Sequence, residues 1–263
     1  MEKRLIACGL LAGAVGAVLA FVFARVFAEP VIGRAIEYED GRTDAVHAQG
    51  VHEHGVELFS RGVQGNAGLG FGVLIFGIAM GALFAVLFCL AYSGTRNGGP
   101  QRLSIRLAAG AVVAVYLVPF LKYPPNPPAV GQADTIGSRT LWYLVMVVAS
   151  VGLAIGAVWL CRRLAPRLGA WNAGLSGVGA YIAATALIML VLPTVDEIPG
   201  PMRDAGGTII YPGFPADVLY EFRLASLGTQ VVLWAAIGVV FSTLARRLLD
   251  GPAGTRRGAS IAA

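Results

Sequence analysis

The sequence predicts an all-α fold, a polytopic membrane protein whose six transmembrane helices are arranged as three hairpins. Three observations lead there. Apolar residues make up 56% of the 263-residue chain and charged residues only 13%, about half the roughly 25% usual in soluble domains. Six apolar runs approach the ~20 residues that a helix needs to cross a hydrocarbon core of about 30 Å. The charges sort by the side on which the connecting segments fall. This composition excludes a soluble globular enzyme, a disordered chain and an ordinary nucleic-acid binder.

The runs are Leu5–Ala24, Leu69–Tyr92, Ile105–Leu121, Leu141–Leu160, Ala173–Leu192 and Leu224–Ala245. None carries a central Asp, Glu or Lys. Arg106 opens the third and Arg25 closes off the first, and long cationic side chains at such positions reach the headgroups. Backbone polar groups have no water partner in hydrocarbon, so the runs must be helical. Apolar residues do not alternate, which excludes strands. Lys3 and Arg4 ahead of the first run, with small residues near Val26–Phe27–Ala28, resemble a signal peptide. The apolar core exceeds the usual 7–15 residues of such a signal, so a retained helix is expected. Leu5–Ile6–Ala7–Cys8 matches a lipoprotein box but lacks the apolar region that should precede it.

Six helices put both termini on one side. The segments sharing that side hold twelve cations against two acids, Glu2 and Asp250; the opposite side holds eight cations and thirteen acids. The positive-inside rule places both termini in the cytoplasm. The net charge of +5 is then a topology signal and an affinity for anionic headgroups, with no nucleic-acid partner implied. Cytoplasmic links are expected near Ser93–Ser104 and Cys161–Asn172. Longer external links are expected near Arg25–Gly68, Lys122–Thr140 and Pro193–Arg223. Residues 1–250 read as one integral membrane domain with an external segment at 29–68, and 251–263 as a flexible cytoplasmic tail. Each returning helix begins with an arginine (Arg61, Arg139, Arg223), and Gln64 and Gln230 follow the first and third; triplicated hairpin ancestry and chance both account for this.

All three histidines fall within eight residues, in His47–Ala–Gln–Gly–Val–His52–Glu53–His54. Glu37, Glu39, Asp40, Asp44 and Glu57 surround them. From Glu29 to Gly68, seven acids face three arginines, a local charge of −4. Imidazole with carboxylate suits borderline divalent ions such as Zn²⁺, Ni²⁺ and Co²⁺, and the negative field concentrates cations. A helix would let His47, His54 and Glu57 or Asp44 share a face; an extended chain would pair His52 with His54. His47, His52, Glu53, His54 and Glu57 are therefore metal-ligand candidates, and a solvated acidic loop is the plain alternative. No HExxH spacing supports a zinc peptidase.

Pro119–Phe–Leu–Lys–Tyr–Pro–Pro–Asn–Pro–Pro–Ala–Val–Gly131 holds five prolines in ten residues and is expected to be non-helical, stiff and largely of polyproline character. Irregular backbone at a membrane mouth can line a cavity. Leu192–Pro–Thr–Val–Asp196–Glu197–Ile–Pro199 places two carboxylates just past a helix end, so Asp196 and Glu197 join the metal candidates. Lys122, Tyr123 and Asn126, with Arg61, Gln64, Glu221 and Arg223, are expected at the pore mouth or in its bracing, the arginines pairing with acids rather than touching a dication. Gly9–Gly13, Gly77–Gly81 and Gly152–Gly156 have the spacing that lets membrane helices approach closely. Cys8, Cys89 and Cys161 lie far apart and offer no metal or disulfide pattern. There is no phosphate-binding loop, no nucleophile elbow and no intramembrane histidine for haem. No enzyme activity and no permanently bound cofactor are expected.

Val118–Pro–Phe–Leu–Lys–Tyr–Pro–Pro–Asn–Pro–Pro–Ala–Val–Gly131, Leu192–Pro–Thr–Val–Asp–Glu–Ile–Pro199, Phe214–Pro–Ala216 and Phe222–Arg–Leu–Ala–Ser–Leu–Gly228 closely resemble the CbtA family, predicted cobalt transporter subunits of bacteria. Ser60–Arg–Gly–Val–Gln64 and Gly68–Leu–Gly70, after the acidic histidine segment, are similar to it too. The resemblance implies a multi-pass inner (plasma) membrane protein linked to cobalt supply for cobalamin synthesis. It also implies a small partner, CbtB, with one membrane helix and a His-rich end. On this reading Co²⁺ is the transported ion, with Ni²⁺ accepted by the same donors, and the membrane potential favours import by about 2.3 kcal/mol per charge per 100 mV. The rival is a non-transporting scaffold or assembly subunit, suggested by the lack of ionisable groups at the helix centres.

Overall fold

The computed structural model describes residues 1–50, 68–93, 99–132 and 134–250. Their helices are α1 (Glu2–Phe27), α2 (Glu29–His47), α3 (Leu69–Ser93), α4 (Pro100–Ala111), α5 (Val118–Lys122), α6 (Ile136–Val191) and α7 (Ala216–Leu249). A π-helical stretch, Val112–Leu117, joins α4 to α5, and a short antiparallel pair, β1 (Met202–Arg203) and β2 (Ile209–Tyr211), precedes α7. Among the described residues five helices are long and apolar enough to cross a membrane: Glu2–Phe27, Leu69–Tyr92, Pro100–Lys122, Ile136–Val191 and Ala216–Leu249. The chain is thus an all-α membrane protein. Large apolar side chains lie open along these helices, Leu190 at 83% exposure and Leu90 at 70%, as lipid contact requires.

The residues group into two compact units, one drawn from Met1–Val31, Glu53–Ala111 and Leu224–Ala263, the other from Ile32–His52 and Val112–Arg223. In the first, α1 and α3 meet backbone to backbone. A Cβ on Gly13 would sit on the Gly77 carbonyl, and one on Gly9 would collide with Gly81. The two glycine pairs mate with each other, as small-residue spacing allows. The third pair behaves differently: nothing lies within 4 Å of a Cβ built on Gly152 or Gly156. Phe84 and Phe88 of α3 close the core edge-on against Phe241 of α7, with centroids 5.2 and 5.0 Å apart.

In the second unit α6 runs for 56 residues but is broken at Gly169, where φ is 77° and ψ 162°. Those angles belong to a region open essentially to glycine alone. The Ser150 and Tyr181 hydroxyls are 2.7 Å apart, whereas 31 residues of straight helix span about 46 Å, so the chain doubles back at Gly169. The expected run 141–160 lies within the first arm of α6, and the run 173–192 lies in the second up to Val191, where the helix ends. The link expected at Cys161–Asn172 is therefore helical except at Gly169. Buried Val118, Tyr123 and Met146 pack with Trp142, Tyr181 and Ile188 in this unit's core.

Other expected boundaries shift for physical reasons. Pro119 does not begin the non-helical segment. It occupies the first turn of α5, where a missing N–H leaves no bond unmade, and the Tyr123 N–H closes that turn on the Pro119 carbonyl at 2.8 Å. The irregular path starts at Tyr123. The external segment after α1 is helical as far as His47. Helix α7 begins at Ala216, eight residues before the apolar run, because its first turns carry Asp217, Glu221 and Arg223.

Candidate functional site

Glu197 is the centre of the polar site in the second unit. Helix α6 stops at Leu192, which is extended (φ −70°, ψ 142°), and Pro193 cannot resume it. The chain then carries Asp196 and Glu197 back towards the Pro-rich segment. The Glu197 side chain is 1% exposed, and an ionised carboxylate at such depth needs partners on both oxygens. Arg139 Nη1 lies 3.1 Å from Oε2. Asn126 donates its amide N–H to the same oxygen at 3.1 Å, and the Thr135 hydroxyl donates to Oε1. Thr135 stands at the N-cap of α6 without capping it, so its hydroxyl is available to Glu197.

A second layer fixes those donors. Arg139 also donates to the Pro124 carbonyl. Arg223 donates to Asn126 Oδ1 at 3.2 Å, which sets the orientation of the amide, while its Nε is buried without a partner among the described residues. Tyr123 donates to the Pro193 carbonyl at 2.7 Å, tying the two irregular segments together. Burial pushes the Tyr123 phenol above its ordinary value, which keeps it a neutral donor. The Lys122 ammonium lies 5.9 Å from the Tyr123 ring centroid, within cation–π range. A cavity of about 50 Å³ opens among Lys122, Asn126, Arg139, Asp196, Glu197 and Arg223. Arg139 and Tyr123 also line a neighbouring cavity of about 220 Å³ walled by Tyr116, Phe120 and Tyr143.

Asp196 is exposed and accepts the Ile198 N–H at a long 3.4 Å. Glu221 pairs with Arg34 of α2 rather than with Arg223; Asp217 is 3.7 Å from the same guanidinium. Tyr38 of α2 donates to the Pro212 carbonyl at 3.0 Å and Arg42 to that of Gly200 at 3.0 Å, so α2 grips the β1–β2 segment. His47 ends α2. His52, Glu53, His54, Glu57, Arg61 and Gln64 lie outside the described residues. Among the described residues no group of three or more His, Cys, Asp or Glu is placed to hold a metal ion.

Sequence reasoning singled out Asn126, Asp196, Glu197 and Arg223 but passed over Thr135, Arg34, Arg42 and Tyr38. Thr135 had a signal: a threonine just ahead of a helix is a natural N-cap, and an N-cap beside a buried acid can serve the acid instead. No local pattern marks the α2 residues, whose partners outside α2 are more than 150 positions away.

These features define a helical membrane protein with a buried, charge-compensated carboxylate at the joint of two irregular segments. The model of the probable cobalt transporter subunit family, CbtA, matches residues 2–246, and the chain belongs to that family. As members of it are subunits, a further component is implied. No curated protein and no solved structure matches the chain.

Proposed function

We propose that this chain is the membrane-spanning subunit that admits Co²⁺ and supplies cobalamin synthesis, and that Ni²⁺ is accepted by the same donors. The observation that carries the reading is membership of a transporter-subunit family over nearly the whole chain. On this reading six spans form three hairpins in the inner membrane, with α6 supplying two of them and both termini in the cytoplasm. Residues 1–250 act as one membrane domain, the segment 29–68 faces outward, and 251–263 trail in the cytoplasm. The partner is a small single-helix, His-bearing subunit like CbtB.

His47, His52, Glu53, His54 and Glu57 gather the ion from outside. Asp196 then receives it with Glu197, which is free to bind only when the Arg139 guanidinium leaves it. Lys122, Tyr123, Asn126, Glu221 and Arg223, with Arg61 and Gln64, shape and brace the mouth. Several weak sites suit transport, because an ion held too tightly cannot leave. The test is cellular cobalt uptake at limiting cobalt with His47, His52 and His54 all replaced by Ala. A fall in uptake is expected; unchanged uptake removes the capture role.

A second reading, a scaffold subunit that moves no ion, is favoured by one observation: both Glu197 oxygens already have protein partners. Cobalt flux into liposomes separates the two, since a scaffold gives none with or without its partner subunit.

A further inference from the structure

In the first unit, α4 and α7 run past each other with almost no clearance at one point. A Cβ on Gly238 would come within 2.7 Å of the Ala108 Cβ and 3.8 Å of Ile105 Cδ1. Beyond that contact, towards the start of α4 and the end of α7, lies a cavity of about 480 Å³ lined by Gln101, Thr243, Arg246, Arg247 and Asp250. Arg246 Nε is a loose 3.8 Å from Asp250 Oδ2. Arg247 and Gln101 make no side-chain hydrogen bond with the described residues. Thr243 turns its hydroxyl back to the Val240 carbonyl at 2.7 Å, leaving an oxygen towards the cavity but no donor.

The local charge is positive from two directions. Two guanidiniums outweigh one carboxylate. The first turn of α4 carries no acidic residue, so the positive end of its dipole is uncompensated from within the helix. A basic cavity between membrane helices is the form of site that holds phospholipid headgroups, and a guanidinium fork matches two phosphate oxygens at once. We propose that the cleft formed by Gln101, Arg246 and Arg247 binds a phosphate group, presented by an anionic phospholipid or by a soluble phosphate. Asp250 acts as a competing anion on Arg246 and limits the affinity. The site is independent of the cobalt reading, and so is its test.

The full chain, purified in detergent and stripped of lipid, would be titrated separately with phosphatidylglycerol, phosphatidylcholine and inorganic phosphate while its melting is followed. Stabilisation by phosphatidylglycerol and not by phosphatidylcholine is expected. The double variant Arg246→Gln/Arg247→Gln should bind about tenfold more weakly or worse, given the attraction each arginine contributes near an anionic surface. Arg162→Gln/Arg163→Gln, which removes two arginines outside the cleft, should bind as the unaltered chain does. Asp250→Asn should bind more tightly. Stabilisation by inorganic phosphate equal to that by phosphatidylglycerol, lost in the same variant, supports a soluble source. Equal weakening in both double variants, or no response to either anion, overturns the proposal. Should the first double variant fail to fold, Asp250→Asn decides: unchanged or weaker binding overturns it.

Discussion

Arg139 and Glu197 lie 3.1 Å apart, and this ion pair joins the first turn of α6 to the segment that follows its end. The doubling back of α6 at Gly169 brings these two regions of the chain together. Desolvation of a buried carboxylate is offset only if every oxygen finds a donor, and here Arg139, Asn126 and Thr135 supply them.

Removing one member of the pair should therefore be costly. Arg139→Ala leaves a buried anion with two neutral donors and should destabilise the protein by about 3 kcal/mol or more. The double variant Arg139→Ala/Glu197→Ala should lose less than the sum of the single changes. Denaturant unfolding in detergent measures both; additive losses would show that the two residues are not coupled.

The Arg34 cluster should behave in the opposite way. Its side chain is 40% exposed and those of Glu221 and Asp217 are 47% and 69% exposed, so water screens the pairs. Arg34→Ala should cost no more than about 1 kcal/mol in the same assay.

The glycines give a contrast within one motif type. Gly13→Ala places a methyl group on the Gly77 carbonyl and should cost about 1–3 kcal/mol as α1 and α3 are forced apart. Gly152→Ala meets nothing within 4 Å and should be neutral or slightly stabilising, since alanine is the better helix former. Thermal unfolding of the two variants side by side tests this.

Much of the fold was legible because the bilayer imposes a simple demand. Runs such as Leu5–Ala24 have to be apolar and helical for lipid to accept them. The boundaries were less legible because hydropathy reports the solvent and not the backbone. Arg162, Arg163 and Arg167 interrupt the apolar pattern while the helix continues through them. In the same way Asp217, Glu221 and Arg223 extend α7 beyond its apolar run. At the site, the residue types of Asn126, Asp196 and Glu197 stood out in the chain. Which of the two acids is buried did not, because that depends on Arg139 and Thr135 arriving from distant segments.

Gly169 yields a further prediction. Gly169→Ala places a Cβ where φ is 77° and ψ 162°, a strain of about 1–3 kcal/mol. The stability lost in unfolding should fall in that range. A loss below about half a kcal/mol would mean that the turn relaxes to angles an L-residue accepts.

Reversal at one residue also leaves no slack. A loop of several residues absorbs a small insertion, but the arms of α6 share a single pivot. Adding one residue to either arm would rotate its side chains by about 100° against the other, separating Ser150 from Tyr181. The register of one arm against the other is therefore fixed at that one residue.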